Sequence, residues 1–201
     1  MSLSTGEERA WKILGDLKPE DVSRRAEVTY DKGECRYVLK SFGSEILVFP
    51  IEKKILSDSP AGEILLNKLS YFSRISILCY LSNARDILLT GELEKPEDFE
   101  AGQIYLKGSH ILPLDKIAHR YGNDINGFLI RGEELGGEKS GYGDASLRLF
   151  PFPRIPVTII LWKGDEEFPP RADLLFDTTC KLHLPADIIW STAMMSVMVM
   201  L

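Results

Sequence analysis

The chain has 201 residues, of which 44% are hydrophobic and 27% are charged. These values are typical of a protein that buries a core and differ from those of a disordered one. Its formal net charge is −6 and its basic residues occur in runs no longer than the pair Arg24-Arg25, so we expect neither nucleic acid nor an anionic membrane surface as a partner.

The N-terminus is predicted to be helical as far as residue 26. Thr5 and Glu8 have the spacing of a capping box, and Pro19 suits the first turn of a second, short helix. The apolar residues that follow have the period of strands and are separated by short turns. They are Val28, Tyr30, Tyr37, Leu39, Ile46, Val48 and Phe49. Turns at residues 31–33 and 43–44 are too short for crossovers, so these strands are predicted to form an antiparallel meander.

A long helical region is predicted to follow the meander and to cover its sheet. Ser59 is a suitable N-cap, and Pro60 fits the first helical position. We expect the helix to break near Ser73. Residues 87–89 are apolar and are predicted to form a short strand that ends at Gly91.

The next segment is predicted to contain loops and two short helices. Residues 96–102 are predicted to form an acidic loop or a single helical turn. Pro113 begins a helix, and residues 125–129 form a second one. The glycine-rich segment 132–143 is predicted to be a mobile loop.

The C-terminal third is predicted to add strands and a last helix. Residues 147–150 and 157–162 have the composition of strands, and residues 174–176 form a further apolar segment. The prolines between the first two strands cannot donate to a ladder, which predicts an edge or a bend at that connection. Pro185 begins the last helix.

Together these elements predict an α+β fold with a mainly antiparallel sheet, made of the N-terminal meander and the C-terminal strands, packed with several helices. We expect one domain over residues 1–201, with residues 1–26 as a helical appendage. The three cysteines are Cys35, Cys79 and Cys180. Their odd number and wide spacing favour a reducing, cytoplasmic location over a disulfide framework. No stretch approaches the roughly 20 apolar residues of a membrane helix.

Charged and aromatic residues are concentrated after the second C-terminal strand. Three carboxylates lie between two aromatic residues there, and a fourth would approach them if the next apolar segment lies alongside in the sheet. Clustered carboxylates bind hard cations or raise one another's pKa until one serves as a general acid. The alternative is that these residues form a solvated turn. The spacing of the carboxylates matches no calcium-binding loop, which favours this alternative. The candidate residues of this surface are Arg154, Trp162, Asp165, Glu166, Glu167, Phe168 and Asp177.

Cys180 and His183 form a second candidate, with two residues between them. Cys180 is the only cysteine with a base, a lysine and a helix start nearby, which a nucleophilic thiolate needs. A buried thiol beside a histidine is the alternative. Zinc takes three or four protein ligands, so no metal site is predicted.

Methionines crowd the last helix, at positions 194, 195, 198 and 200. Methionine occurs both in ordinary cores and on adaptable docking surfaces. The second interpretation would make this helix a contact between subunits and leaves a homo-oligomer open.

Several C-terminal segments carry a distinctive order of residues, notably residues 152–156, 160–169, 174–177 and 184–185. In these segments the chain resembles domain-of-unknown-function family 3786 of bacteria and archaea. Weaker similarity at Leu81, Gly91 and residues 42–43 extends the resemblance over residues 20–200. The resemblance implies an origin in anaerobes. Some members carry a cysteine-rich segment and are labelled as iron–sulfur or corrinoid-associated proteins. The scattered cysteines of this chain cannot ligate a four-cysteine cluster, so no cofactor is predicted and any redox role would belong to a partner.

Three functions are consistent with these observations. The first is a ligand- or partner-binding accessory protein, linked by the resemblance to anaerobic redox or one-carbon (corrinoid) metabolism, whose partner is a small molecule or a redox or corrinoid protein. The second is a small enzyme that depends on carboxylates or a divalent cation. The third is a structural or oligomerising protein that docks through its methionine-rich helix. The absence of a complete catalytic motif favours the first.

Overall fold

The structure, a computed structural model, describes residues 5–99 and 111–201. These residues form an α+β fold with antiparallel strands, as predicted, but the strands form two sheets where one was expected. In chain order the elements are α1 (Thr5–Gly15), α2 (Pro19–Ala26), β1 (Thr29–Asp31), β2 (Arg36–Ser41), β3 (Ser44–Phe49), β4 (Lys54–Leu56), α3 (Pro60–Asn67), α4 (Ser70–Asn83), β5 (Leu93–Glu94), a 3₁₀ turn (Pro96–Asp98), α5 (Leu114–Tyr121), α6 (Ile125–Glu134), β6 (Glu138–Ser140), β7 (Ala145–Phe152), β8 (Ile155–Trp162), β9 (Arg171–Asp177), α7 (Cys180–His183) and α8 (Ala186–Met200).

The N-terminal sheet is the predicted meander, with strand order β1-β2-β3-β4 and antiparallel neighbours. Alternate residues of β2 and β3 are buried, which is the pattern of a sheet with one face against the core. The fourth strand was not predicted. It has three residues, of which only Ile55 is buried, so it shows too little alternation to be recognised.

The turn between β2 and β3 is formed by Phe42 and Gly43. Their φ angles are 47° and 74°, and two left-handed residues in succession form the type I′ turn that suits a two-residue hairpin. The Phe42 ring is buried, and its backbone N–H donates to the carbonyl of Phe150 in β7 at 2.9 Å. The turn therefore joins the N-terminal sheet to the C-terminal one.

The predicted helix cap at Ser59 is confirmed, because the Ser59 hydroxyl accepts a hydrogen bond from the Gly62 N–H at 3.0 Å. The predicted break near Ser73 is wrong. The helices separate at residues 68–69, and Ser73 lies inside α4. There its hydroxyl donates to the Leu65 carbonyl at 2.8 Å, so this serine joins α3 to α4 instead of ending a helix.

Residues 87–89 do not form the predicted strand. They belong to an irregular segment, residues 84–92, which we call the strap. The strand that pairs with β9 comes later and is β5. Of the predicted acidic loop at residues 96–102, Pro96–Asp98 form the 3₁₀ turn, and residues 100–102 lie outside the described residues.

The C-terminal sheet has the strand order β5-β9-β8-β7-β6, with every neighbouring pair antiparallel. The prolines mark a bend, as predicted. The register between β7 and β8 shifts between Leu149 and Phe152, at Pro151, and Pro153 and Arg154 form the connecting turn. The alternative of an edge also holds locally, because β6 pairs with residues 146–148 of β7 and β9 pairs with residues 157–162 of β8, and the prolines lie outside both ranges.

The glycine-rich segment 132–143 is not the predicted loop. Gly132 is buried within α6, and residues 138–140 form strand β6. A Cβ atom built on Gly132 would lie 2.2 Å from the Leu147 side chain. The glycine thus allows α6 to pack closely on β7, and close packing rather than mobility explains its presence.

One hydrophobic core contains residues of both sheets. The two N-terminal helices contribute Trp11, Leu14, Val22 and Ala26 to it, all of them buried. Helices α1 and α2 are therefore built into the core, and the expectation that residues 1–26 form an appendage is wrong.

Helices α5, α6 and α8 pack on the C-terminal sheet, and α4 packs against both α1 and α8. In α8, Met194, Met195 and Met200 are buried, whereas Met198 is 39% exposed. The methionines are thus mainly core residues. Among the residues that the structure describes, no helix has the length and apolar composition needed to cross a membrane.

Candidate functional site

The acidic bend and Asp177 do not converge, so that prediction is wrong. β8 and β9 are neighbours, as expected, but they form an antiparallel hairpin in which Trp162 pairs with Arg171. Asp177 is six residues further along β9, which corresponds to about 20 Å at the usual rise of a strand. The two halves of the predicted site lie at opposite ends of the sheet.

The acidic bend itself is a solvated turn. Asp165 accepts hydrogen bonds from the backbone N–H groups of Phe168, at 2.7 Å, and Glu167, at 2.9 Å. These two bonds lower the pKa of Asp165. Glu166 and Glu167 are exposed, as is the ring of Phe168. Asp165 therefore shapes the turn, and the bend shields none of its carboxylates from water.

The Trp162 side chain already contacts other residues of the chain. Its indole N–H donates to Asp173 at 3.0 Å, and the Arg171 guanidinium lies 4.7 Å from its ring. Lys95 donates to the other oxygen of Asp173 at 2.9 Å. Burial alone would raise the pKa of Asp173, but the bonds from Lys95 and Trp162 lower it. This cluster attaches the chain around β5 to β8 and β9, and neither Lys95 nor Asp173 was predicted.

The other predicted residues gather around the strap, at the opposite end of the sheet. Asp177 is buried and accepts five hydrogen bonds from three residues. The donors are the N–H and hydroxyl of Thr90, the N–H of Gly91, and the N–H and hydroxyl of Thr179. Burial alone would raise the pKa of Asp177, but these bonds outweigh it and lower the pKa. A carboxylate this fully bonded holds structure and has little capacity left for a ligand.

Arg154 holds the middle of the strap from the turn between β7 and β8. Its guanidinium donates to the Asp86 carboxylate at 2.8 Å and to the Ile87 carbonyl at 3.2 Å. Its backbone N–H donates to the Tyr80 hydroxyl, which in turn donates to the carbonyl of Ala26. Arg154 thus ties the strap to β8 and, through Tyr80, to the end of α2.

Cys180 and His183 lack the electrostatics of a catalytic pair. Cys180 is buried, and burial raises the pKa of its thiol, which keeps it protonated. The His183 Nδ1 accepts a hydrogen bond from the Arg85 N–H at 3.1 Å, so its proton lies on Nε2. Burial, together with the charges of Arg154 and Arg85, lowers the pKa of His183 to about 4. A neutral imidazole and a protonated thiol fit a structural role.

The described residues also contain no group of three or more histidine, cysteine, aspartate or glutamate side chains arranged to hold a metal ion. Several carboxylates instead accept hydrogen bonds from backbone N–H groups or from basic side chains. They are those of Asp86, Asp165, Asp173 and Asp177.

A cleft that was not predicted lies where the two sheets meet. It has a volume of about 550 Å³. One wall is the outer face of the N-terminal sheet, with Val38, Lys40 and Glu45, and the other carries Glu138 of β6 and Phe150 of β7. These residues come from distant parts of the chain, so no local pattern in the sequence marks the cleft.

Two glycines allow the walls of the cleft to approach each other closely. Gly43, in the β2–β3 turn, and Gly136, after α6, both line the cleft and have φ angles of 74° and 67°. A Cβ atom built on Gly136 would lie 2.9 Å from the Gly43 Cα. The backbones therefore touch where side chains would keep them apart.

The cleft combines an apolar surface with negative charge. Val28, Val38, Phe150 and Pro153 line it together with three glutamates and one lysine, which gives these charged side chains a net charge of −2. One of the glutamates, Glu27, lies 3.8 Å from the Arg154 Nε. The cleft is thereby adjacent to the residues that hold the strap.

A family model described as "Domain of unknown function (DUF3786)" matches residues 18–199. This match confirms the resemblance noted from the sequence, and it covers both sheets. No curated protein and no solved structure matches the chain.

Proposed function

Because this chain belongs to the DUF3786 family, whose description names no activity, we propose its function from its geometry: it is a binding protein that holds an amine with an apolar body in the cleft between its two sheets. The observation that carries this proposal is the chemistry of the cleft, in which three carboxylates and one ammonium group border an apolar surface.

The size of the cleft supports a small ligand. Its volume of about 550 Å³ lies within the range of roughly 300–1,000 Å³ that is typical of small-molecule sites. The sites in that range are mostly apolar and carry a few polar groups that orient the ligand. Here Val38 and Phe150 supply the apolar contact, and the carboxylates supply the orientation.

The charge of the cleft supports a cationic ligand. Glu45 and Glu138 lie on opposite walls, so an ammonium group between them is attracted by both. The Phe150 ring lines the same space, and the face of an aromatic ring also attracts a cation. An anion would meet the carboxylates of Glu45 and Glu138 as well as Glu27, which is paired with Arg154, and Lys40 is the one basic residue among the described lining residues.

Binding accounts for the site better than catalysis does. The described residues that line the cleft include neither histidine nor cysteine. The carboxylate enzyme considered from the sequence required the acidic bend and Asp177 to meet, and they lie at opposite ends of β9. Docking through the methionine-rich helix has only Met198 to offer at the surface.

The biological setting of the proposal comes from the family resemblance. We place the protein in the cytoplasm of an anaerobe, as an accessory to redox or one-carbon metabolism. Its ligand would then be a metabolite of that system or a group carried by a redox or corrinoid partner protein.

The test uses two probes of similar shape and opposite charge, tryptamine and indole-3-acetate. We expect calorimetry to show saturable binding of tryptamine and binding of the acid weaker by at least about tenfold, since like charges in a partly enclosed site cost more than 1.4 kcal/mol. Val38→Trp should fill the cleft and abolish binding without lowering the melting temperature. Ile51→Trp, at an exposed turn position, is the matched control.

Two results would overturn the proposal. The first is the absence of saturable binding by tryptamine. The second is binding of tryptamine that Val38→Trp leaves unchanged, which would place the ligand elsewhere on the molecule.

A further inference from the structure

A second cavity lies under α3 and shares no lining residue with the cleft. It has a volume of about 390 Å³. Phe42 lines this cavity, whereas its neighbour Gly43 lines the cleft, so the β2–β3 turn separates the two spaces. The other walls come from α3, α6 and α8, which brings residues from both halves of the chain to one site.

The walls of this cavity are apolar. Nine of its twelve lining residues are apolar, and Phe42, Leu65, Leu69 and Leu135 are buried. Two further lining residues, Ile64 and Met198, are 42% and 39% exposed. Apolar walls that continue to exposed apolar side chains favour a ligand with a long apolar part.

The charged residues of this cavity have the opposite sign from those of the cleft. They are Lys68 and Arg131, and no carboxylate side chain is among the described lining residues. Within the part of the chain that the structure describes, no carboxylate forms an ion pair with Lys68. Lys68 is exposed, so its ammonium group is free to meet an anion at the entrance.

Arg131 is fixed beside the cavity. Its Nε and Nη2 donate to the Val199 carbonyl at 3.0 and 2.7 Å, and its Nη1 donates to Glu134 at 2.9 Å. A guanidinium has five N–H donors, so Arg131 keeps two for a ligand. The backbone oxygen of Leu201, a further lining residue, accepts a hydrogen bond from Arg120.

We infer that this cavity binds an acyl-chain carboxylate, with its hydrocarbon tail among the leucines and Phe42 and its head group at Lys68 and Arg131. Burial of the tail supplies most of the affinity, because each methylene group that leaves water favours the bound state. Arg131 is already paired with Glu134, so Lys68 sets the sign of the head group and Arg131 adds charge-assisted hydrogen bonds to it. The site is independent of the amine site proposed in the cleft.

The test compares decanoate with decylamine, which have the same tail and opposite charges. We expect calorimetry to show saturable, one-to-one binding of decanoate and weaker binding of decylamine. Lys68→Glu should weaken decanoate binding by about fivefold or more, the effect of an exposed ion pair, and should favour the amine. Lys12→Glu, an exposed position on α1, is the matched control. Ala61→Trp, at an exposed lining position of α3, should fill the cavity and abolish binding without unfolding the chain.

Several outcomes would overturn the inference. These are no saturable binding of decanoate, equal binding of decylamine, and unchanged binding by both Lys68→Glu and Ala61→Trp. A dimer in light scattering that Ala61→Trp dissociates would also overturn it, because the cavity would then be a contact between copies. Val38→Trp should leave decanoate binding intact, so failure at one site is distinguishable from failure at the other.

Discussion

The carboxylate of Asp177 accepts a hydrogen bond of 2.7 Å from the backbone N–H of Gly91, 86 residues earlier in the chain. This contact fixes the end of the strap to the end of β9. An aspartate that follows an apolar strand is a common sign of a functional site, but here its bonds are all within the chain. Asp177, Arg154 and His183 each form hydrogen bonds to the strap. Substitution of these residues therefore tests how much each contact stabilises the fold.

Replacing Asp177 by asparagine should destabilise the protein by about 3 kcal/mol, because hydrogen bonds to a charged group are strong and an amide cannot accept at every position. Urea denaturation with a constant m-value would measure the loss. Asp165→Asn is the control. It preserves a side-chain acceptor in an exposed turn and should change stability by less than about 0.5 kcal/mol. Equal effects at the two positions would contradict the structural role of Asp177.

His183 should make the protein less stable as the pH falls from 6.5 to about 4. Its pKa in the folded chain is about 4 against an ordinary 6.5, so the unfolded chain takes up the proton first and gains stability relative to the fold. The loss should reach about 3 kcal/mol over that range. The His183→Gln variant has no titrating group at this position. Its free energy of unfolding should therefore fall by about 3 kcal/mol less than that of the wild type between pH 6.5 and 4.

The pKa of Asp177 changes stability in a separate pH range. It is lowered in the folded chain, so the stabilisation by Asp177 is complete above the unfolded pKa of about 3.9 and is lost below it. A wild-type curve that is flat from pH 6.5 to 4 and falls only below pH 4 would leave the Asp177 account intact and contradict the one for His183.

Replacing Arg154 by lysine should loosen the strap. A lysine cannot reproduce the bonds from one guanidinium to Asp86, Ile87 and the Arg24 carbonyl. We expect a loss of about 2 kcal/mol in the free energy of unfolding and faster hydrogen exchange of the Arg85 and Thr90 amides. Arg9→Lys, on the exposed side of α1, should change neither. Unchanged exchange in the strap would show that other contacts suffice to hold it.

Replacing Gly136 by alanine should disturb the close contact between the two sheets and destabilise the fold. The new Cβ would lie 2.9 Å from the Gly43 Cα, on a residue with a φ angle of 67°. We expect a cost of about 2 kcal/mol from the left-handed backbone and the contact, read from the melting temperature. Gly141→Ala is the control, because a Cβ there meets no atom within 4 Å. An equal change at both positions would contradict the close approach.

The local elements were predictable because their signals are local. The Ser59 cap and the short turns of the meander depend on a few adjacent residues. The segment 132–143 was predicted wrongly because glycine is used both for flexibility and for close packing, and only the position of Leu147 against Gly132 distinguishes the two.

The candidate site was less predictable, because it depends on long-range contacts. Residues 163–170 are too few for a parallel crossover, and the hairpin that they form places Asp177 far from the bend. The cleft joins residues as distant as Glu27 and Phe150. Nothing in either neighbourhood of the sequence indicates that they lie side by side.

The attachment of the strap has a consequence for synthesis of the chain. Leu88 and Leu89 belong to a segment whose fastening groups, Arg154, Asp177 and His183, are translated much later. At the usual rates of elongation, of about 5–20 residues per second, the ribosome needs on the order of 5–20 s to reach His183. During that interval the nascent strap lacks its anchors, so its backbone N–H groups at Arg85, Thr90 and Gly91 stay hydrogen-bonded to water and the segment cannot adopt its final path until the C-terminal third has been made.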